Sequence, residues 1–219
     1  MGRFGNRMRL GIFGGTFNPI HVGHVTLAGN VFKDFKLDKL FFVPSSIPPH
    51  KKDVISPELR LEMVELVAER LGKGFSASDF EVNSSEISYT YKTLKQFRTD
   101  YPDDELFFIA GTDIFATIES WQYWRDLFDL ANFIIVNRSM VSFEELLKLM
   151  PLSLKERVTK SEDFDNDKNG KIIFYNMPEV VISSTEIRDM LDAEYRKANL
   201  PEDVYEFIRT NNLYGRANG

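Results

Sequence analysis

The chain has 219 residues, 43% apolar and 27% charged, the profile of a globular protein large enough to bury a core without cross-links. Its 27 Lys and Arg against 33 Asp and Glu leave a net charge of -6, which argues against a non-specific nucleic-acid or anionic-membrane binder, because both need a basic face. No cysteine occurs, so disulfides, thiolate zinc sites, iron–sulfur clusters and cysteine nucleophiles are excluded.

Residues 1–7 read as an N-terminal extension, without the apolar stretch of a signal peptide. Arg9 to Gly14 (RLGIFG) predicts a buried strand, and Val25 to Phe35 carries a helical apolar stripe. Leu40 to Val43 is a second strand, stopped by Pro44. Ser56-Pro57 opens a helix that runs to Leu71, with serine at the cap and proline at the first helical position. Phe75 to Val82 reads as a strand and Thr90 to Thr99 as a helix. Leu106 to Ala110 and Phe133 to Val136 are further buried strands. A helix follows at Phe143 to Met150, then a polar stretch from Lys160 to Lys171. The chain ends with a strand at Ile172 to Tyr175 and a helix from Pro201 to Asn211. The longest apolar run is the five residues Leu106 to Ala110, against the ~20 that span a bilayer, so a cytoplasmic location is expected.

Continuous apolar strands alternating with amphipathic helices indicate a parallel sheet covered on both faces. The expected class is α/β, a Rossmann-like doubly wound parallel sheet. One domain is expected over residues 1–219, with a helical C-terminal segment from about residue 183.

The three histidines are His21, His24 and His50. Two lie in the stretch GIFGGTFNPIHVGH, Gly11 to His24, which reads as strand, Gly-Gly turn and helix start. Gly14 and Gly15 let a ligand approach the backbone, and the amides of a helix start favour a phosphate. Neither G-x-G-x-x-G nor a Gly-Lys-Ser/Thr loop can be placed here, so a nucleotide would be bound in another way. His21 and His24, three apart, share one side of the helix start and could donate to phosphate oxygens. The alternatives are a capping histidine beside a packing one, or a metal pair needing a third ligand.

The stretch GGTFNPIHVGH resembles the signature of the nucleotidyltransferase superfamily with the T/H-x-G-H motif, whose members transfer a nucleotidyl group from a nucleoside triphosphate. A second stretch, VISSTEIR at Val181 to Arg188, holds a capping box at Ser183 and Glu186. It also reads as a second phosphate cradle of hydroxyls, helix amides and the Arg188 guanidinium. Together the two resemble the signatures of bacterial nicotinate-nucleotide adenylyltransferases. PPHKK at Pro48 to Lys52, EISYTYKTL at Glu86 to Leu94 and GTDIFATIESW at Gly111 to Trp121 fit the same family. The resemblance runs from about Met8 to Tyr214. Asn18 stands where the family often has Asp.

That resemblance implies transfer of AMP from ATP to nicotinate mononucleotide, in the family's part of NAD biosynthesis. It implies Mg2+ brought with the triphosphate and no protein ligands to that metal. Amide mononucleotide and phosphopantetheine are rival acceptors, and a non-catalytic nucleotide sensor is a rival of another class. The implied ATP residues are Gly14, Gly15, Thr16, Phe17, His21, His24, Gly111, Asp113, Arg138, Ser183, Ser184 and Arg188. Those acting on the phosphates in the reaction are His24, His21, Thr16 and Arg188. For the mononucleotide they are Trp121 by stacking, Thr90 and Tyr89 at the carboxylate, and His50 with Lys51. Trp121 otherwise reads as core, Asp113 as a helix cap, Arg138 as a surface ion-pair partner, and His50 with Lys51 as a solvated loop. A calcium-loop pattern at Asp165 to Asn176 lacks the closing Glu and runs into a strand, so a polar turn is expected there.

Overall fold

The computed structural model describes residues 7–47, 54–84, 86–137, 141–160, 170–177, 182–190 and 193–215. Strands form where apolar runs are short and rich in Phe, Ile and Val. They are β1 (Arg9–Gly15), β2 (Lys39–Pro44), β3 (Phe75–Ala77), β4 (Glu105–Gly111), β5 (Asn132–Val136), β6 (Val158–Lys160) and β7 (Ile172–Tyr175). Between and after them lie α1 (Val22–Asp34), α2 (Pro57–Leu71), α3 (Thr90–Asp100), α4 (Thr112–Phe115), α5 (Leu127–Leu130), α6 (Phe143–Leu149), α7 (Leu152–Lys155), α8 (Ser184–Asp189), α9 (Ala193–Asn199) and α10 (Glu202–Thr210).

The strands form one sheet in the order β3-β2-β1-β4-β5-β7-β6, and every pairing is parallel. The chain winds outward from β1 in one direction, then returns to continue from β4 in the other. The switch point therefore lies between β1 and β4, where an open α/β sheet leaves a crevice at the carboxyl ends of its strands.

Both faces of the sheet are covered, which is why the strands carry no polar alternation. Neighbouring residues along a strand point to opposite faces. Phe13, Phe42, Phe107 and Ile134 pack under α1, α2 and α10 with Val31, Met63, Val67 and Val204. Ile12, Phe41, Phe108 and Phe133 pack on the other side with Leu94, Phe97, Phe115 and Leu127.

Three expectations are revised. The strand read over Phe75 to Val82 stops at Ala77. Turn-forming residues take over, with the Phe80 N–H on Ser78 Oγ at 3.4 Å and the Asn83 N–H on the Asp79 carbonyl at 2.9 Å. The edge strand β6 was hidden because three residues are too few to show a period. The segment after β4 was unassigned, and it folds into the short turns α4 and α5. Of the calcium-like stretch, residues 165–169 lie outside the described residues, and Ile172–Tyr175 is the strand β7. Among the described residues no helix is long and apolar enough to cross a membrane.

Phe133, 0% exposed in β5, meets the rings of Phe128, Phe108 and Phe115 at 4.8, 5.6 and 5.9 Å. Phe133→Ala is expected to lower the unfolding free energy by about 3–5 kcal/mol, read from urea midpoints.

Candidate active site

Gly14 and Gly15, expected in the turn, are the last two residues of β1, and the turn begins at Thr16. A Cβ on Gly15 would lie 2.8 Å from the Phe17 ring, so only glycine admits that ring beneath the turn. Phe17 has φ 48 and is 2% exposed. Its side chain meets Phe13 edge-on at 5.5 Å and His24 at 5.1 Å. The sequence reading grouped Phe17 with the ATP residues. Its side chain is part of the core.

His21 caps α1 and His24 lies in the first helical turn. Their rings stack with centroids 3.8 Å apart and planes tilted by 37°. They are 1% and 6% exposed, more enclosed than an open helix start implies. The His21 N–H donates to His24 Nδ1 at 3.3 Å. A neutral imidazole that accepts at Nδ1 carries its proton on Nε2, so the hydrogen-bond pattern assigns His24 as an Nε2–H donor. The adjacent helix N-terminus adds amides and a positive dipole end.

The second cradle docks on the first. Ser184 Oγ donates to the Pro19 carbonyl at 2.9 Å, and Arg188 Nη1 donates to the Asn18 carbonyl at 2.7 Å. Arg188 Nη2 reaches Thr185 Oγ1 at 3.3 Å. Ser183 closes the capping box: it accepts from the Glu186 N–H at 3.1 Å and donates its N–H and Oγ to the Glu186 carboxylate. The Ser184 hydroxyl and the Arg188 guanidinium, expected at the phosphates, thus bind protein carbonyls of the first turn.

At the end of β4, Gly111 precedes buried Thr112 and exposed Asp113. Trp121 is half-buried. It meets Phe108 edge-on at 6.1 Å and donates from Nε1 to Thr117 Oγ1 at 3.4 Å. The fully packed tryptophan is Trp124. Thr90 begins α3 and Tyr89 precedes it without a side-chain cap. His50, Lys51 and Arg138 lie outside the described residues.

Three participants were not foreseen. Arg60 in α2 is fully buried and donates to the carbonyls of Thr16, Ser46 and Ile55 at 2.7, 3.0 and 3.1 Å. The signal was present, because Arg60 stands in the same stripe as Met63, Val64 and Val67. Burial lowers its pKa, opposed by Tyr214, Glu58 and Glu81. Tyr214 donates to Asn18 Oδ1 at 2.8 Å, and burial raises its phenol pKa against the pull of Arg188 and Arg60. Glu81 is buried and accepts from Thr93 Oγ1. Burial raises its pKa, opposed by hydrogen bonds from Thr93 and Ser88 and by Arg60. Among the described residues no three metal-ligating side chains gather.

A sequence profile of the cytidylyltransferase-like family matches residues 12–190. A protein of Clostridium novyi named "Probable nicotinate-nucleotide adenylyltransferase" is 38% identical over 207 residues, covering 93% of this chain and 98% of that one. One of the same name from Shewanella frigidimarina is 39% identical over 215 residues, covering 94% and 100%. The chain belongs to the nicotinate-nucleotide adenylyltransferase family. The solved structure of the Plasmodium falciparum nicotinic acid mononucleotide adenylyltransferase complexed with NaAD has the same fold. It superposes with a TM-score of 0.75 at 23% identity, over 95% of this chain and 98% of that one.

Asn18 uses Oδ1 to accept from Tyr214 and from the Ile55 N–H at 3.4 Å. A carboxylate keeps both acceptances. Asn18→Asp is therefore expected to stay within about 0.5 kcal/mol of the parent in urea unfolding, whereas Asn18→Ala should lose about 1–3 kcal/mol by orphaning buried donors.

Proposed function

We propose that this chain, acting in the cytoplasm as one catalytic domain, transfers the adenylyl group of ATP to nicotinate mononucleotide. The products are nicotinate adenine dinucleotide and pyrophosphate. The observation that carries this reading is the docking of the two phosphate-seeking segments, far apart in sequence, through Arg188 and Ser184 onto the turn at Asn18 and Pro19. That junction lies beside the switch point of the sheet, where a triphosphate would meet a second nucleotide. The near-full-length relatives of that name support the choice of acceptor.

A phosphate oxygen of the mononucleotide attacks the α-phosphorus in line. The new O–P bond forms as the bond to the bridging oxygen breaks, and pyrophosphate leaves. The attacking phosphate is already largely a dianion at neutral pH, its second pKa being about 6, so no general base is needed. Catalysis is positioning and charge stabilisation. In this reading His24 donates from Nε2 to the α-phosphate as charge builds there, and His21 to the triphosphate. The amides at Gly14, Gly15 and Thr16 line the phosphates, with Ser183, Ser184 and Arg188 at the β- and γ-groups. Gly111 and Asp113 approach the nucleotide ribose. Trp121 stacks on the pyridine ring, and Thr90 and Tyr89 lie at its carboxylate. By their resemblance to the family, His50, Lys51 and Arg138 add cations.

ATP enters as its magnesium complex. The site offers N–H, imidazole and guanidinium donors to phosphate oxygens, which suits an ion carried by the nucleotide with mostly water ligands.

The direct test mixes the protein with ATP, magnesium and each acceptor, and follows pyrophosphate. Release is expected to be fastest with nicotinate mononucleotide. Faster release with the amide or with phosphopantetheine would reassign the acceptor, and none with any of them would remove the activity. His24→Ala should lower kcat by roughly 10²–10³-fold, as loss of one oxyanion donor does, with the circular-dichroism spectrum unchanged. Trp121→Ala should chiefly raise the KM for the mononucleotide; an unchanged KM takes Trp121 out of the pocket.

A further inference from the structure

Arg60 is a full-length cation at a position where the stripe of α2 is otherwise apolar. Met63, Val64 and Val67 around it are buried. Burying a guanidinium costs several kcal/mol unless its donors are satisfied. Here three of its five N–H groups, one each on Nη1, Nη2 and Nε, donate to the carbonyls of Thr16, Ser46 and Ile55. None of these acceptors carries a charge, and among the described residues Arg60 forms no ion pair. What it does is join three separate stretches of backbone.

Two of those stretches face the substrates of the reaction proposed above. Thr16 belongs to the phosphate turn after β1. Ser46 follows β2 and leads toward the acceptor side. From Ser46 the bonding continues: its N–H donates to Ser88 Oγ at 2.9 Å. The Ser88 N–H donates to the Ile47 carbonyl at 3.3 Å, and Ile47 pairs with Ile87 in an isolated parallel bridge. Glu81 separately accepts from Thr93 in the first turn of α3. A hydrogen-bonded path thus runs from the turn that would hold the triphosphate, through Arg60 and Ser46, to Ser88, next to the helix start at Tyr89 and Thr90.

We propose that Arg60 is a positioning residue that couples the two substrate sites, holding the Thr16 turn and the Ser46–Ser88 segment in one mutual arrangement so that occupation of either favours the other. This rests on the adenylyl-transfer reading. A planar fork is needed because the carbonyls surround the side chain. The ammonium of lysine offers donors from a single point and cannot reach all three.

The test measures the Kd of nicotinate mononucleotide by calorimetry, with and without saturating α,β-methylene ATP and magnesium. The full chain, Arg60→Lys and Ser88→Ala are compared. In the parent chain the analogue should tighten the mononucleotide at least about 5-fold, the lower end of ordinary coupling between sites. In each variant that ratio should fall to within 2-fold of unity, with cooperative unfolding retained. A merely structural arginine would lower stability and leave the ratio alone. If Arg60→Lys does not fold, Ser88→Ala decides, since it removes one hydroxyl from the same chain. A parent-like ratio in the folded variants overturns the proposal, and so does a ratio of one in the parent chain. Pyrophosphate release by the parent separates the two readings. Release without coupling overturns the coupling alone, and no release overturns both.

Discussion

Backbone carbonyls of the turn from Thr16 to Pro19 point into the protein and need donors that the sheet does not supply. Arg60 meets Thr16 from α2, while Arg188 and Ser184 meet Asn18 and Pro19 from α8. Tyr214, close to the end of the described chain, meets the Asn18 side chain. The turn is therefore held by elements from three distant parts of the sequence. With three of its carbonyls engaged, the turn leads into the start of α1, whose N-terminal amides have the polarity a polyphosphate requires.

The same arrangement resolves an electrostatic tension. A chain of net charge -6 repels polyanions at long range, so cations that serve them must be local and poorly screened. Arg60 and Arg188 supply that charge against one turn, beneath or beside the β1–β4 switch point, and the two imidazoles lie next to it as hydrogen-bonding groups.

The fold was largely legible because its strands are buried on both faces. LGIF, LFFV, LFFIA, FIIV and IIFY are short, continuous and bounded by turn residues, and four of the five expected central runs became strands within a residue or two of their expected limits; β7 matched outright. Failures fell at the edges. β3 and β6 have three residues each, and their pairing is decided by the neighbouring strand rather than by any period of their own. The short helical turns after β4 arise from packing of Phe115, Trp124 and Leu127 into the core, which leaves no full helical stripe to read.

At the site, residue types at fixed local spacing were readable. Gly14-Gly15, His21 and His24, and the capping box at Ser183 and Glu186 each act within one turn of chain, so spacing alone places them together. Their juxtaposition was not readable, since β1 and α8 meet only after the sheet has formed. Nor was the part played by Arg60, Glu81 and Tyr214. An arginine in an apolar stripe announces a buried cation, but which carbonyls it satisfies depends on three loops brought together over the edge of the sheet. The sequence by itself determined the layered α/β architecture and the local phosphate-seeking turns, because hydrophobic period and turn chemistry act over a few residues. Only the tertiary structure decided how those turns are held against one another, because buried backbone groups find their donors across space and not along the chain.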